Sequence, residues 1–537
     1  MEGFYSEYIS VGLRTVSALI LFMFAASSLT AEIQHLATED FGRKISKFIK
    51  NRFGGVVVGF VGTMFMQSST AMVTVAIALV NTGVISFRDS LAVIFGSSIG
   101  TTITSQLALI SSVPVASILL IVGFVSKFLG KRFEIFSKTV FYLGFILFSL
   151  NLLSSAVAPL KDDPDFVYLF STLSSPIVAY IVSTIFTILL HSSSITTSIV
   201  VILCSSGVLP LSVAIPMILG ANLGTSVSGI FTTKDMNLYA RRAAFANVFF
   251  KVIGTLIFMF FVPQFAMFLT MLTDDVGYQS SLANLLFNVA NTMIFLIFMN
   301  PFEKLVTFVI SGDEEEILFE TRYIDEKSKS LEESISNIVK EIGYSVDNTM
   351  RIFKDGLRLF WDPSGAILMG IDKFESLNDF LDDRITESIV ALPKNNLSKK
   401  EAVKSVILVK ISNTIEQLGD LGMDFSRVFV RVHKMQCEEQ MHITKVVEMF
   451  NMLMSLFEKI KKQISNPTMK KLESIKVDEE KMYAVIRSEF DNHVKQLQVS
   501  DGYSGDSFVE VVSIMEASVS KLRDIRKLLM KQIDGKL

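Results

Sequence analysis

From Phe166 to Thr233 the chain carries no aspartate, glutamate, lysine or arginine. A soluble domain cannot sustain such a run, because its surface must face water at intervals along the chain. The stretch fits a membrane, where backbone groups are satisfied inside helices of about 20 apolar residues. From Gly312 onward the character reverses and charged residues recur every few positions. A membrane domain followed by a soluble one explains how a chain with 19% charged residues keeps a mean hydropathy of +0.48. The two parts are expected at 1–312 and 320–537.

A net charge of -3 gives no electrostatic reason to bind nucleic acid. The two cysteines, Cys204 and Cys437, fall one in each part, so no disulfide framework is expected. The first residues, with Glu2 and Glu7, lack the basic region of a secretory leader, and the first apolar segment is expected to be retained.

Two polar clusters interrupt the apolar sequence: Gln67, Ser68, Ser69 and Thr70, then His191, Ser192, Ser193 and Ser194. Each is followed by a glycine motif, Gly-Ser-Ser-Ile-Gly-Thr-Thr at 96–102 and Gly-Ala-Asn-Leu-Gly-Thr-Ser at 220–226. One gapless offset lays Ser68 on Ser192, Ser69 on Ser193, Gly83 on Gly207, Gly100 on Gly224 and Thr101 on Thr225. The chain therefore contains an internal repeat, read as 10–126 and 130–234, with extra helices at 243–311.

Apolar spans are expected at about 10–31, 84–110, 113–130, 139–160, 209–232, 243–272 and 283–311. The stretches 53–82 and 176–206 carry the polar clusters near their middles, and each has room for two half-helices with a turn. Basic loops at 42–52, 127–132 and 234–242 are placed in the cytoplasm, and acidic loops at 161–165 and 273–278 outside. Crossings then balance only if 53–82 and 176–206 are re-entrant hairpins that enter from opposite faces. Two such units are inverted repeats, with a site at their meeting point. The soluble part is then cytoplasmic.

Small hydroxyl residues in membrane helices commonly serve packing, and Ser183, Thr184 and Thr187 are read that way. Packing does not explain Gln67, His191 and Asn222 at matched spacing. Hydroxyl and amide oxygens suit a hard cation such as sodium, and helix N-termini suit an anion. Neither cluster holds lysine or arginine, so a bound anion needs co-bound cations to offset its charge. His191 is read as a neutral hydrogen bonder, a proton-sensitive switch or a packed neighbour of the site.

At these residues the sequence resembles the type II sodium–phosphate cotransporter family, over roughly 10–310. That family looks like two copies of Gln-Ser-Ser-Ser, each followed by a Gly-Ala-Asn-Ile-Gly-Thr-like motif. His191 stands where the family has Gln, and Ser97 and Ser98 where it often has Ala-Asn. Asn247 and Lys251 stand where it usually carries His and Asn. The resemblance implies a phosphate site at Gln67, Ser68, Ser69, Thr70, His191, Ser192, Ser193, Ser194 and Asn222. Sodium is expected at Gln67, Ser69, Thr101, Thr102, Ser193, Asn222, Thr225 and Ser226.

In the soluble part Leu331, Ile335, Ile338 and Ile342 share one helical face. Six helices are expected, at about 323–356, 366–391, 398–435, 438–465, 477–498 and 505–534, forming two three-helix bundles. This part resembles the PhoU family of phosphate-uptake regulators over roughly 320–535. The most specific piece is Ile-Glu-Gln-Leu-Gly-Asp at 415–420, similar to that family's Glu-x-x-x-Asp motif. Glu416 and Asp420 lie four apart on one helical face, and the resemblance implies a divalent metal there. In the second bundle Ser520 stands where the acid would be.

The expected fold class is thus all-α: a polytopic membrane transporter with two inverted repeats, each with a re-entrant hairpin, then a soluble PhoU-like pair of bundles. The expected function is sodium-driven movement of inorganic phosphate across the cytoplasmic membrane, with a regulatory tail. Alternatives are a phosphate exporter and a membrane-anchored phosphate sensor that does not transport. The partners are sodium, phosphate and the bilayer, with a homo-oligomer and a cytoplasmic regulatory partner left open. No P-loop, zinc-ligand spacing or supported nucleophile triad suggests an enzyme.

Overall fold

The computed structural model describes residues 2–34, 48–49, 51–110, 113–129, 134–159, 175–231, 233, 236–312, 316–324, 330–392, 397–435, 442–499 and 506–535. The loop at 161–165, most of 42–52, Lys131, Arg132, Lys234, Asp235 and Cys437 lie outside the described residues. The helix breaks expected at 393–396 and 500–505 lie outside them too. The chain divides into two compact units, Met1–Glu316 and Ile317–Leu537. The described residues are helices and connections, without strands.

In the first unit the helices are α1 (Glu2–Gln34), α2 (Arg52–Met66), α3 (Ser69–Asn81), α4 (Phe87–Gly100), α5 (Thr102–Ile110), α6 (Val113–Ser126) and α7 (Glu134–Val157). They continue as α8 (Pro176–Leu190), α9 (Ser193–Ser205), α10 (Leu211–Gly224), α11 (Leu238–Phe260), α12 (Val262–Leu272), α13 (Val276–Ile297) and α14 (Met299–Val309). Among the described residues, four segments are long and apolar enough to cross a membrane: Ile9–Glu32, Phe136–Val157, Leu238–Phe260 and Val276–Ile297. Helices α3 and α9 have 13 residues each. At about 1.5 Å per residue they reach roughly two thirds of the hydrocarbon thickness.

The expected spans 84–110 and 209–232 are each broken, at Thr101 and Thr225. At the first break Thr101 Oγ1 donates to Ser97 O at 3.2 Å, a carbonyl that also accepts the Thr101 N–H, and Thr102 Oγ1 donates to Ile99 O at 2.7 Å. Ser226 Oγ donates to Leu223 O at 2.7 Å in the second repeat. The expected spans 243–272 and 283–311 also divide, at Phe261 and Phe298. Pro263 in the first turn of α12 suits a helix start, where its missing N–H costs nothing.

The two copies of the repeat share backbone detail. Helix α2 ends at Gln67 with φ 51° and ψ 22°, and α8 ends at His191 with φ 53° and ψ 22°. Ser68 and Ser192 follow in extended conformation and cap α3 and α9 by accepting the N–H of Ala71 and Ile195. Gly83 (φ 75°) and Gly207 (φ 72°) close both copies. Helix α4 lies against α2 as α10 lies against α8. A Cβ on Gly96 would sit 2.1 Å from Val56 O, and one on Gly220 2.2 Å from Tyr180 O. Val56 and Tyr180 are themselves matched by the repeat offset. Only glycine permits this approach.

Around these pairs the core is aromatic on one side: Phe95 meets Phe250, Phe295 and Phe302 at centroid distances of 4.7, 5.7 and 5.8 Å. On another side α1 and α7 bury Phe22, Leu29, Leu150 and Leu153 against α9. Adjacent Arg88 and Asp89 turn to different partners. Asp89 closes the α4 cap with Ser86, and Arg88 pairs with Glu303.

The second unit holds α15 (Leu331–Arg358), α16 (Gly365–Val390), α17 (Lys399–Met435), α18 (Ile443–Ser465), α19 (Met469–Val499) and α20 (Asp506–Asp534). Helices α15–α17 pack together, as do α18–α20, and α17 packs on α20. One continuous core runs through both groups, with Phe353, Phe425 and Phe457 at its centre. The segment leading into α15 is pinned by buried Glu341, whose carboxylate accepts the N–H groups of Arg322, Tyr323 and Ile324.

Candidate functional site

The two half-helix turns meet at one cavity. Its volume is about 340 Å³, and its lining includes Gln67, Ser68, Ser69 and Thr70 from one turn and His191, Ser192, Ser193 and Ser194 from the other. Thr225 and the α1 residues Met23, Ala26, Ser27, Thr30 and Ala31 complete much of the wall. No aspartate, glutamate, lysine or arginine lines it among the described residues. Its electrostatics come from backbone: α3 and α9 both begin here, and the first N–H groups of a helix lack partners within it. Ser68 and Ser192 each satisfy one such group, and the helix dipoles add partial positive charge.

A left-handed conformation at a residue other than glycine costs about 1 kcal/mol. Gln67 holds it with its own side chain: Nε2 donates to Met64 O at 2.6 Å, and Oε1 accepts from Thr104 Oγ1 at 2.8 Å. The amide thus ties the end of α2 to α5. Thr30 Oγ1 reaches Met66 O at 2.9 Å and ties α1 to the same turn.

The other sequence-expected residues stand outside the wall. Thr101, Thr102 and Ser226 are buried at the helix breaks, with hydroxyl protons donated to backbone. Asn222 is buried one turn before Thr225, where its Nδ2 donates to Ile218 O at 2.9 Å and Asn284 Oδ1 at 3.1 Å. Ser183, Thr184 and Thr187 bond Met217 O, Tyr180 O and Thr196 Oγ1.

Several polar residues near the site were missed in the sequence: Thr30, Thr104, Ser105, Asn284 and Asn288. For the last two a signal exists. Asn284, Asn288 and Asn291 recur about once per turn on one helix. The hydroxyls of α1 and α5 carry no such pattern.

The Na+/Pi-cotransporter family model matches residues 21–155 and 166–273, which span both repeats and the cavity lining. The first unit is similar to this family over most of its length. Sodium-dependent phosphate transport protein 2B of Homo sapiens is 34% identical over 138 residues, 24% of this chain and 20% of that protein. "Putative inorganic phosphate export protein YjbB" of Escherichia coli is 24% identical over 258 residues, 47% of each chain. "Uncharacterized protein YqeW" of Bacillus subtilis is 27% identical over 269 residues, 49% of this chain and 87% of that protein. The match thus spans about half the length of the export protein. No solved structure matches the chain. With this likeness and several apolar spans, the protein is a multi-pass membrane protein.

The Na+/Pi-cotransporter match stops short of the second unit, where the expected metal pair also needs revision. Asp420 has its carboxylate within 4.8 Å of those of Glu375 and Asp379, and Glu416 is not part of that set. The reason is that α16 presents Glu375 and Asp379 to α17 at the level of Asp420. Glu416 feels the same crowd. Desolvation, then Asp420, Asp379, Asp382 and Glu375, push its carboxyl up to about 7. Asp379 rises to about 6, by desolvation first and neighbouring carboxylates second.

Proposed function

We propose that the protein moves inorganic phosphate across the cytoplasmic membrane in company with sodium. The observation that carries this is the meeting of two capped helix N-termini at one cavity whose lining holds no lysine or arginine. Free N–H groups and serine hydroxyls suit the oxygens of phosphate. The anion's remaining charge is offset by sodium, held by hydroxyl, amide and backbone oxygens among Gln67, Ser69, Ser193, Asn222 and the residues at the helix breaks. Each ion then strengthens the site of the other, which is the physical basis of coupling. In this reading the two repeats are inverted and the short pairs α2–α3 and α8–α9 are re-entrant. The second unit lies in the cytoplasm as a PhoU-like regulator.

Direction follows from the gradients. The likeness to a protein named for phosphate export favours keeping release beside uptake.

The test is radiolabelled phosphate flux in proteoliposomes of the whole protein, with and without a sodium gradient, beside a Gln67→Ala/Ser193→Ala variant. Sodium-dependent flux that the variant loses supports the reading. A folded, correctly oriented sample with no flux in any gradient sinks it.

A further inference from the structure

Lys251 is buried in the middle of the first unit, 5% exposed, on helix α11. Its Nζ donates to Asn222 Oδ1 at 3.2 Å and Asn288 Oδ1 at 3.3 Å. Helices α10, α11 and α13 meet here, and none of the three contains an aspartate or glutamate. The Lys251 nitrogen is surrounded by neutral amides. Asn288 Nδ2 and Asn222 Nδ2 both donate to Asn284 Oδ1, and Asn284 Nδ2 continues to Ser105 Oγ at 3.1 Å. Ser105 Oγ donates to Thr102 O at 2.7 Å. One hydrogen-bonded chain therefore runs from Lys251 to the helix break of the first repeat, and through Asn222 to the turn before the break of the second.

A buried cation with no anion is costly, and such charges in membrane proteins pair with something. Two amide oxygens aimed at one point form a donor set that also suits a hard metal cation. A lysine ammonium, with three donors and no acceptor, fills the same role from a fixed stem. The balancing negative charge is absent from these helices, and one turn beyond Asn222 Thr225 opens on the cavity.

We propose that Lys251 is a tethered cation that occupies one cation position of the transport cycle, with the transported phosphate as its counter-charge. The protein then carries one sodium ion fewer per phosphate than the same chain with a neutral residue at 251. This rests on the phosphate-transport reading above.

The test counts sodium directly. Saturation binding of radioactive sodium is measured without phosphate on the purified full-length protein, on Lys251→Asn and on Lys251→Gln. Both variants supply an oxygen and vacate the charge. The expected result is an additional bound sodium ion per chain in each variant, together with phosphate binding that depends more steeply on sodium concentration than the parent's, by about one ion. If a variant is unstable in choline, sodium raises its melting temperature more than it raises that of the parent. Unchanged sodium binding, a parent-like sodium dependence of phosphate binding, or instability that sodium does not relieve overturns the proposal. Because the count needs no phosphate, absent flux in proteoliposomes defeats the transport reading separately from the sodium count.

Discussion

Gln67 and His191 occupy the same backbone conformation, within a few degrees, at the same place in two copies of the repeat. Glycine is the natural residue for that geometry, yet both positions carry a polar side chain at the cavity. The side chains are therefore kept for what they contact. Gln67→Gly and His191→Gly are expected to retain the folded state, with relieved strain offsetting the hydrogen bonds that the Gln67 amide gives up. Phosphate flux should nevertheless fall by about tenfold or more, the effect of losing a hydrogen bond worth roughly 1.5 kcal/mol. Flux at the parent level in both variants would show that the side chains serve only the turn.

The glycines between α2 and α4, and between α8 and α10, have no such latitude. Gly96→Ala and Gly220→Ala each force a methyl onto a backbone carbonyl at 2.1 and 2.2 Å. Each should destabilise by on the order of 3 kcal/mol, the upper range for overpacking. A methyl added to Gly12 on α1 would meet no atom within 4 Å, so Gly12→Ala is the control. It should be neutral or stabilising by up to about 1 kcal/mol. Size-exclusion recovery after heating ranks the three.

Stability of the second unit should depend on pH through Glu416. Its folded value of about 7 lies above the ordinary value of 4.5, so the folded state binds the proton more tightly. The resulting stability is greatest at low pH and falls as pH rises from the ordinary value through the folded one. Glu416→Gln should raise the melting temperature at pH 8 and leave it nearly unchanged at pH 4. Trp361, the single tryptophan, lies in this unit and stacks edge-on against Phe360, so its fluorescence reports the transition. An equal rise at both pH values would assign the effect to something other than charge.

Arg526 and Glu479 form an ion pair whose side chains are 6% and 2% exposed, between α20 and α19. Two contacts, at 2.9 and 3.1 Å, hold it. Removing one partner strands a buried charge. Arg526→Met should cost about 3 kcal/mol or more, while Glu479→Leu/Arg526→Met should recover most of that loss. Chemical denaturation followed at Trp361 separates the two. A double variant no better than the single one would mean that the pair itself, rather than the stranded charge, supplies the stability.

The helical class and the polar residues of both turns were legible because each leaves a local mark. Apolar length marks a helix, and a polar cluster repeated at one offset marks the turns. The six helices of the second unit were legible from their apolar faces, although α15 starts at Leu331, later than the expected 323, and α19 at Met469, earlier than the expected 477. The breaks at Thr101 and Thr225 were not, since each lies inside an apolar run whose composition continues across it. The Lys251 network was not legible as a unit either. Its members come from α5, α10, α11 and α13, and only the packing brings them together. In the second unit the i, i+4 spacing of Glu416 and Asp420 was visible, but the facing carboxylates of α16 were not.

The close seating of α4 on α2, and of α10 on α8, has a mechanical consequence. Carbonyls that occupy the place of a missing Cβ act as keys in slots, and neither helix can slip along its partner without a collision. Each pair is a stiff lever. Any opening of the cavity toward one face or the other must then be articulated at contacts padded by side chains, such as those of α1 and α7 with α9, and not within the glycine-locked pairs.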